Sequence, residues 1–425
     1  MNRRVVVTGL GICAPNGVGL NYFYDSMRNG RSGIRFYQEL ADLGFGCQIA
    51  GKPEIPESLK EAYFTKLQLR GLNCSGIVYG VMAGTDAWKD ASLSLAAKDC
   101  PDWDSGIIFG TGILGMDKLR ESIYLIDGNN ARRLGSSSVM QTMASGISAY
   151  LGGILGCGNQ VTTNSSACAT GTEGVIMGME RIRAGKAERM LVGSCNDSGP
   201  YIWGGFDAMR ILPSNYNHNP QEASRPMSAS ASGFVPGSGA GAMVLESLES
   251  ALGRGAKIYA EVLGGAVNSG GQRGGGSMTA PNSQAVQKCI LEALNDAGIE
   301  KSEVDVINGH LTATSKDAEE IKNWSVALGR TGKDFPFINA TKGLVGHCLA
   351  ASGSVECVAA LLQYREGLVF GNINCHDLHP DIVDLVDPSR IPLKTISHRP
   401  KITAKASFGF GDVNACVIFK DYKEM

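Results

Sequence analysis

Short apolar runs closed by glycine alternate with longer segments of helical spacing along the whole chain. Residues 5–7 and 106–109 read as buried strands, each running into a glycine-rich turn. Residues 190–193, 257–264, 304–308, 402–408 and 415–419 read as further strands. Apolar positions recur at helical spacing over 76–89, 174–184, 283–297, 317–328 and 349–364. The helix over 283–297 stops at Gly298, and the one over 174–184 carries Arg181, Arg183 and Lys186 near its end, where cations suit the dipole. This alternation predicts an α/β protein with helices covering sheets, and the shared style of the two halves suggests a duplication.

No charged or low-complexity linker separates the halves, so they are expected to pack as one unit. Residues 271–277, with three consecutive glycines, read as a flexible surface loop. Arg3 and Arg4 ahead of residues 5–7 could open a signal peptide. Thr8, Gly9 and Gly11 interrupt the apolar stretch, and Pro15-Asn16-Gly17 makes a turn, so a first strand is the better reading.

A formal net charge of −2 gives no bias towards nucleic acid, and an anionic partner would have to meet a local basic patch. The twelve cysteines form no CxxC pair, which argues against zinc or disulfide frameworks and for a reducing cytoplasm. From 134 to 172 there is no charged residue at all. The segment is too polar for lipid and no stretch qualifies as a membrane span, so it is expected inside protein, at an active site or a subunit interface.

Within that segment, small residues crowd Cys168 in Asn164-Ser165-Ser166-Ala167-Cys168-Ala169-Thr170-Gly171, just before a helix. Such neighbours permit a sharp turn that presents one side chain. A helix N-terminus lowers a thiol's pKa and offers free N–H groups to an oxyanion. Most free cysteines are simply buried, and only this context singles Cys168 out. His310 ends the apolar run 304–310, at the strand end where functional side chains gather in α/β folds. His347 follows Thr341-Lys342-Gly343-Leu344-Val345-Gly346 and precedes a helix. Near the C-terminus, Phe408-Gly409-Phe410-Gly411 sets aromatics in a glycine turn. His218, His376, His379 and His398 have no comparable setting.

Taken in order, these segments resemble the β-ketoacyl-acyl-carrier-protein synthases of the thiolase superfamily, closest to the elongating type II enzymes. The resemblance runs from Arg4-Val5-Val6-Val7-Thr8-Gly9-Leu10-Gly11 through Cys168, Asn219-Pro220-Gln221-Glu222-Ala223-Ser224-Arg225-Pro226, His310, Lys342 and His347 to Phe410. It implies a thiolase-like five-layer αβαβα fold with two similar halves, 1–250 carrying the nucleophile and 251–425 carrying the histidines. Cys168 corresponds to the nucleophile that takes the acyl chain. Backbone N–H groups of Cys168 and Phe410 correspond to the oxyanion hole, and Phe410 to the gate. His310 and His347 correspond to the pair that hydrogen-bonds the malonyl thioester carbonyl. Lys342 orders the His310 side with Glu320 as its supporting partner; Thr312, Thr314 and Phe408 complete the surroundings. Ile113, Leu114 and Leu311 are expected at the acyl pocket. The chemistry requires no metal or redox cofactor. An acidic acyl-carrier protein would dock on Arg132, Arg133 and Arg210, with Lys66 and Arg70 nearby. The family's dimers leave homodimer and heterodimer both open.

The chain also departs from the family pattern. Leu311, Leu114 and Asp412 stand at usual glycines, Ser315 stands at a proline, and small residues follow Arg225-Pro226 where a charged run with an aspartate is usual. The acyl substrate is therefore expected to differ more than the reaction, with a polyene or polyketide pathway open beside fatty acid synthesis. A non-catalytic, chain-length-setting partner subunit is the rival from another class; such subunits usually lack the nucleophilic cysteine. A thiolase would need a second catalytic cysteine near the C-terminus, and Cys416 lies in an apolar strand instead. A cysteine hydrolase would not need two histidines and a lysine.

Overall fold

The computed structural model describes residues 3–422. Ten strands carry the architecture: β1 (Val5–Ala14), β2 (Ser105–Thr111), β3 (Val161–Thr162), β4 (Arg189–Asn196), β5 (Gly239–Ser247), β6 (Ala260–Ser269), β7 (Val306–Asn308), β8 (Phe337–Asn339), β9 (Ile402–Gly409) and β10 (Val413–Asp421). Six helices cover them: α1 (Ser75–Asp90), α2 (Gly146–Leu155), α3 (Thr170–Arg183), α4 (Ser283–Ala297), α5 (Asp317–Leu328) and α6 (Ser352–Glu366).

The strands fall into two blocks of the same design. One runs β1-β5-β4-β2-β3 and the other β6-β10-β9-β7-β8. In each block the first three strands are antiparallel and the last three parallel. The matching order and sense are those of a duplicated unit. Hydrogen bonding also joins the blocks where β1 meets β6, but only over Val5–Val262, Val6–Glu261 and Val7–Ala260. The two sheets are thus continuous at one corner and otherwise face one another.

Five layers result. Helices α1 and α2 cover the outer face of the first block, and α4, backed by α5, covers that of the second. Helices α3 and α6 fill the middle and touch strands of both blocks. Three separate hydrophobic cores lie between these layers, one on each outer side and one in the centre. The helices can approach closely because Gly171 and Gly353 meet there. A Cβ on Gly171 would fall 2.2 Å from the Ser354 nitrogen, and one on Gly353 would fall 2.5 Å from that of Thr172. Burial on both sheet faces explains why the strands read as near-continuous apolar runs.

Three strands had no clear sequence signal, the two-residue β3 among them. β5, Gly-Ala-Gly-Ala-Met-Val-Leu-Glu-Ser, is rich in small residues, and β8 has three residues. The uncharged 134–172 segment contains α2, β3 and Cys168 and runs into the first turn of α3. Glycines 271, 274, 275 and 276 do form an exposed loop. It is anchored, however, because buried Asp412 accepts hydrogen bonds from Gln272 N (2.9 Å) and Asn282 N (2.8 Å). Among the described residues no helix is long and apolar enough to cross a membrane.

Candidate active site

The nucleophile candidate sits where the chain turns sharply into the central helix α3. Ala167 takes a left-handed φ of 48°, and the Thr170 hydroxyl braces the turn by donating to Ala167 O (2.7 Å) and accepting from Ser166 N (2.8 Å). The turn after β9 lies directly against it: a Cβ on Gly409 would come within 3.1 Å of the Cys168 nitrogen. Cys168 is buried, with the N–H groups of Phe410 and of Cys168 itself directed at its sulfur. The thiol pKa does not follow the helix-terminus expectation. Burial pushes it up, and the Lys342 charge and those N–H groups only partly offset this.

The two histidines come from the second block. His310 follows β7, and its loop is held by two buried carboxylates on α5. Glu320 accepts from His310 N and Leu311 N, both at 2.7 Å. Asp317 accepts from Thr312 N (2.9 Å), Ala313 N (3.1 Å) and Met227 N (2.8 Å). Burial raises Glu320 to about 7 and Asp317 to about 6. His347 lies between the turn at Gly346 and α6; its backbone N–H donates to Val235 O (2.7 Å).

Lys342 is buried and donates to His310 O (2.6 Å), to Glu356 and to His310 Nδ1 (3.3 Å). Its carboxylate partner is therefore Glu356 on α6. Glu320, expected in that role, supports His310 through the backbone. Glu356, Asp317, Ser352 and the buried Lys405 escaped the sequence reading. An isolated acid in the apolar α6 and a lysine inside a strand were the available signals, and neither resembles a motif.

These contacts fix the imidazole tautomers. An ammonium can only donate, so His310 Nδ1 accepts and the proton lies on Nε2. Leu349 N–H donates to His347 Nδ1 (3.1 Å), with Ser352 Oγ 2.8 Å away, so this ring too carries its proton on Nε2. The rings stand edge to face, with centroids 5.3 Å apart. Cys168 and both histidines offer ligand atoms within 4.8 Å of one another, a spacing that could also hold a metal ion. With both Nε2 atoms protonated, the centre is arranged to donate hydrogen bonds rather than lone pairs.

A cavity of about 540 Å³ joins these groups. Thr312 and Thr314, whose hydroxyls are 3.0 Å apart, line it between the histidines and exposed Ser315 and Lys316. Ile113, Phe206, Ile211 and Phe234 line it elsewhere. Rings run from Phe410 through Phe206 and Phe234 to His347, with neighbouring centroids 6.2, 5.5 and 5.2 Å apart. Phe408 closes the other side, 6.2 Å from His310.

Two pocket expectations fail. Leu311 points into the outer core beside α5, at a strained φ of 25°, and Leu114 packs near Gly76 at the start of α1; neither lines the cavity. Arg225 pairs with Asp377 (3.1 Å), which also accepts from Ser228 Oγ (2.6 Å). Arg132, Arg133, Arg210, Lys66 and Arg70 are all exposed, and none makes an ion pair among the described residues. Arg210 directly precedes the cavity residue Ile211.

Residues 2–251 match the family described as "Beta-ketoacyl synthase, N-terminal domain", and residues 259–376 match its "C-terminal domain". The chain belongs to the β-ketoacyl synthase family. It is 34% identical to chloroplastic 3-oxoacyl-[acyl-carrier-protein] synthase I of Arabidopsis thaliana, over 99% of this chain and 87% of that protein. It is 31% identical to 3-oxoacyl-[acyl-carrier-protein] synthase 1 of Escherichia coli K12, over 99% and 100%. Among solved structures, a type II polyketide ketosynthase in complex with its acyl-carrier protein superposes with a TM-score of 0.87 at 30% identity, covering 99% of this chain and all of that one. The ishigamide ketosynthase/chain length factor gives a TM-score of 0.87 at 28% identity, covering all of both chains. This β-ketoacyl synthase thus shares its length and fold with condensing enzymes of both fatty acid and polyketide synthesis.

The buried histidines give a pH test. Burial, then Lys342, hold both well below the ordinary 6.5, with a smaller part from Lys405. A depressed pKa stabilises the fold above the unfolded value and loses that contribution as pH falls below it. Denaturant unfolding should lose about 1.4 kcal/mol per pH unit for each histidine below about pH 6.5. A His310→Gln/His347→Gln double variant should show a correspondingly flatter slope; an unchanged slope would contradict the neutral assignment.

Proposed function

We propose that this β-ketoacyl synthase catalyses decarboxylative condensation of a Cys168-bound acyl group with malonyl-acyl-carrier protein. The observation that carries the reading is the convergence of one thiol from the first block with two Nε2–H donors from the second. In the first half-reaction the Cys168 sulfur attacks the acyl thioester, the carrier thiol leaves, and the cysteine proton passes to it. The N–H groups of Cys168 and Phe410 receive the transient oxyanion. In the second, the malonyl C–C bond breaks, CO2 departs, and the electron pair forms an enolate at the thioester oxygen. His310 and His347 donate to that oxygen, their Nδ1 atoms held by Lys342 and by Leu349 with Ser352. The enolate carbon then attacks the acyl carbon, Cys168 leaves as thiolate, and a 3-oxoacyl group remains on the carrier protein.

Residues 1–250 thus act as the nucleophile half and 251–425 as the decarboxylation half. Phe410, at the end of the aromatic row, serves as the gate, and Ile113 marks the acyl side of the cavity. The chain acts in fatty acid synthesis or a related polyene or polyketide pathway. Twelve free thiols suit a reducing cytoplasm. A non-catalytic partner role is disfavoured because every group named above is present.

The half-reactions separate by mutation. Cys168→Ala should lose the acyl adduct seen by intact mass while malonyl decarboxylation persists. His347→Ala should keep the adduct but cut condensation by ~10²-fold or more, the scale of losing one oxyanion donor. Blocked acylation with normal condensation from a preloaded enzyme would reverse the assignment.

The unpaired cations Arg132, Arg133 and Arg210, with Lys66 and Arg70, are proposed to receive the acidic carrier protein. Charge reversal at Arg132 and Arg133 should weaken binding more at low salt than at high salt. Unchanged low-salt binding would remove both from the dock.

The uncharged 134–172 segment exposes Val139, Met140 and Val161, and among the described residues β3 leaves one sheet edge unpaired. A dimer through this surface follows, as charge-poor patches favour interface cores. A homodimer is the simplest form, with a related chain as alternative partner. Sedimentation should show a dimer at micromolar concentration; a stable monomer would count against it.

A further inference from the structure

Lys405 has no part in the scheme above, yet it is fully buried. Along β9, Ile402, Ala404, Ala406 and Phe408 face the outer core, so alternation turns Thr403, Lys405 and Ser407 towards the central helices. There Lys405 Nζ lies 2.7 Å from Glu356 Oε2, while Lys342 takes Oε1 of the same carboxylate. The Lys405 hydrogen bonds go to Ala406 O and to Ser407 Oγ (3.0 Å), so its hold on Glu356 is an ion pair alone, and Glu356 Oε2 accepts no hydrogen bond among the described residues. Ser407 Oγ is in turn 2.9 Å from Thr172 Oγ1, four residues past Cys168 on α3.

Two ammonium groups around one carboxylate leave one net positive charge. Burying an unmatched ammonium is costly, and a neutral side chain would fill this position without that penalty. The Ser407–Thr172 contact could be made without a lysine. What only a lysine supplies is the second charge and the second hold on Glu356.

We propose that Lys405 is a positioning residue for the enolate-forming half-reaction: it shares Glu356 with Lys342, fixes Lys342 against His310, and keeps one net positive charge behind the histidine pair. The inference rests on the condensing reaction proposed above. It deepens that reading by assigning the charge that attracts the malonyl carboxylate and stabilises the enolate after CO2 leaves. The titratable groups around the pair are Lys342, Glu356 on α6, Lys405 on β9, Glu320 and Asp317 on α5, and Cys168. Lys405 depresses the pKa of both histidines, in the same direction as Lys342 and as burial, which is the largest cause. The largest influences on the Cys168 thiol are instead burial, Lys342 and the Phe410 N–H. Its removal should therefore spare acylation.

The test compares the wild-type enzyme with Lys405→Met and Lys405→Gln, the second keeping a hydrogen-bond donor without the charge. Each is assayed for Cys168 acylation by intact mass, for malonyl-carrier-protein decarboxylation, and for histidine titration by NMR of imidazole-labelled protein. Both variants should acylate Cys168 at close to the wild-type rate but decarboxylate about tenfold more slowly, mainly in kcat. The His310 and His347 titrations should move upward by about one pH unit. Unmoved histidine titrations, or decarboxylation equal to wild type, would overturn the role of Lys405. Should neither variant fold, Lys405→Arg decides, because it keeps the charge: histidine titrations and decarboxylation close to wild type would support the role, and a tenfold loss of decarboxylation despite the retained charge would overturn it. A wild-type enzyme that neither acylates Cys168 nor releases CO2 would instead refute the condensing reaction itself, whatever the variants do.

Discussion

A single buried ammonium organises the centre of this molecule. Lys342 Nζ has three protons and places them on His310 O, His310 Nδ1 and Glu356. An unpaired charge at that depth would be expensive, so all three acceptors must be held in place. That requirement reaches the loop after β7, the start of α6, and through Glu356 the strand β9. It also decides which nitrogen of His310 faces the cavity. Without the ammonium, Nδ1 could carry the proton and Nε2 would face the substrate as an acceptor, the wrong polarity for an enolate oxygen.

The duplicated architecture explains how such a centre is assembled. Strands β7 and β9 belong to one block, and the turn into α3 stands on the other. The central helices bring the two together only because glycines allow backbone contact at Gly171 and Gly353. Strained backbone gathers in the same place. Ala167, Leu311, Ala313, Leu349 and Asp412 all adopt positive φ around the cavity or its supporting turns. Buried carboxylates restrain several of them: Glu320 holds the Leu311 nitrogen, Asp317 holds that of Ala313, and the Asp412 side chain is itself bound to Gln272 and Asn282. Strain over-determined by buried hydrogen bonds is a usual mark of a functional centre.

Much of this was legible in sequence, for identifiable reasons. Strands buried on both faces leave apolar runs, and α4 announces its end with Gly298, so most elements could be placed within a few residues. Cys168, His310, Lys342 and His347 stood out because each sits at an element boundary with an unusual local pattern. Glu356 and Lys405 did not, because their significance lies in a contact between a helix and a strand far apart in the chain. Leu311 misled for a related reason. Its neighbour His310 faces the cavity, but the turn at φ 25° swings Leu311 the other way, into the core beside α5. The rise in the Cys168 pKa was equally hidden, since a local motif cannot reveal how much protein will enclose it.

The central claim is that one thiol and two donor histidines perform both halves of one condensation. It is tested most directly by presenting Cys168-acylated enzyme with malonyl-carrier protein labelled with carbon-13 in the free carboxylate. Labelled CO2 should appear in step with loss of the acyl mass from Cys168, and the carrier should gain the acyl group extended by a 3-oxo two-carbon unit. Acyl mass released as free acid, or labelled CO2 without transfer to the carrier, would contradict the account.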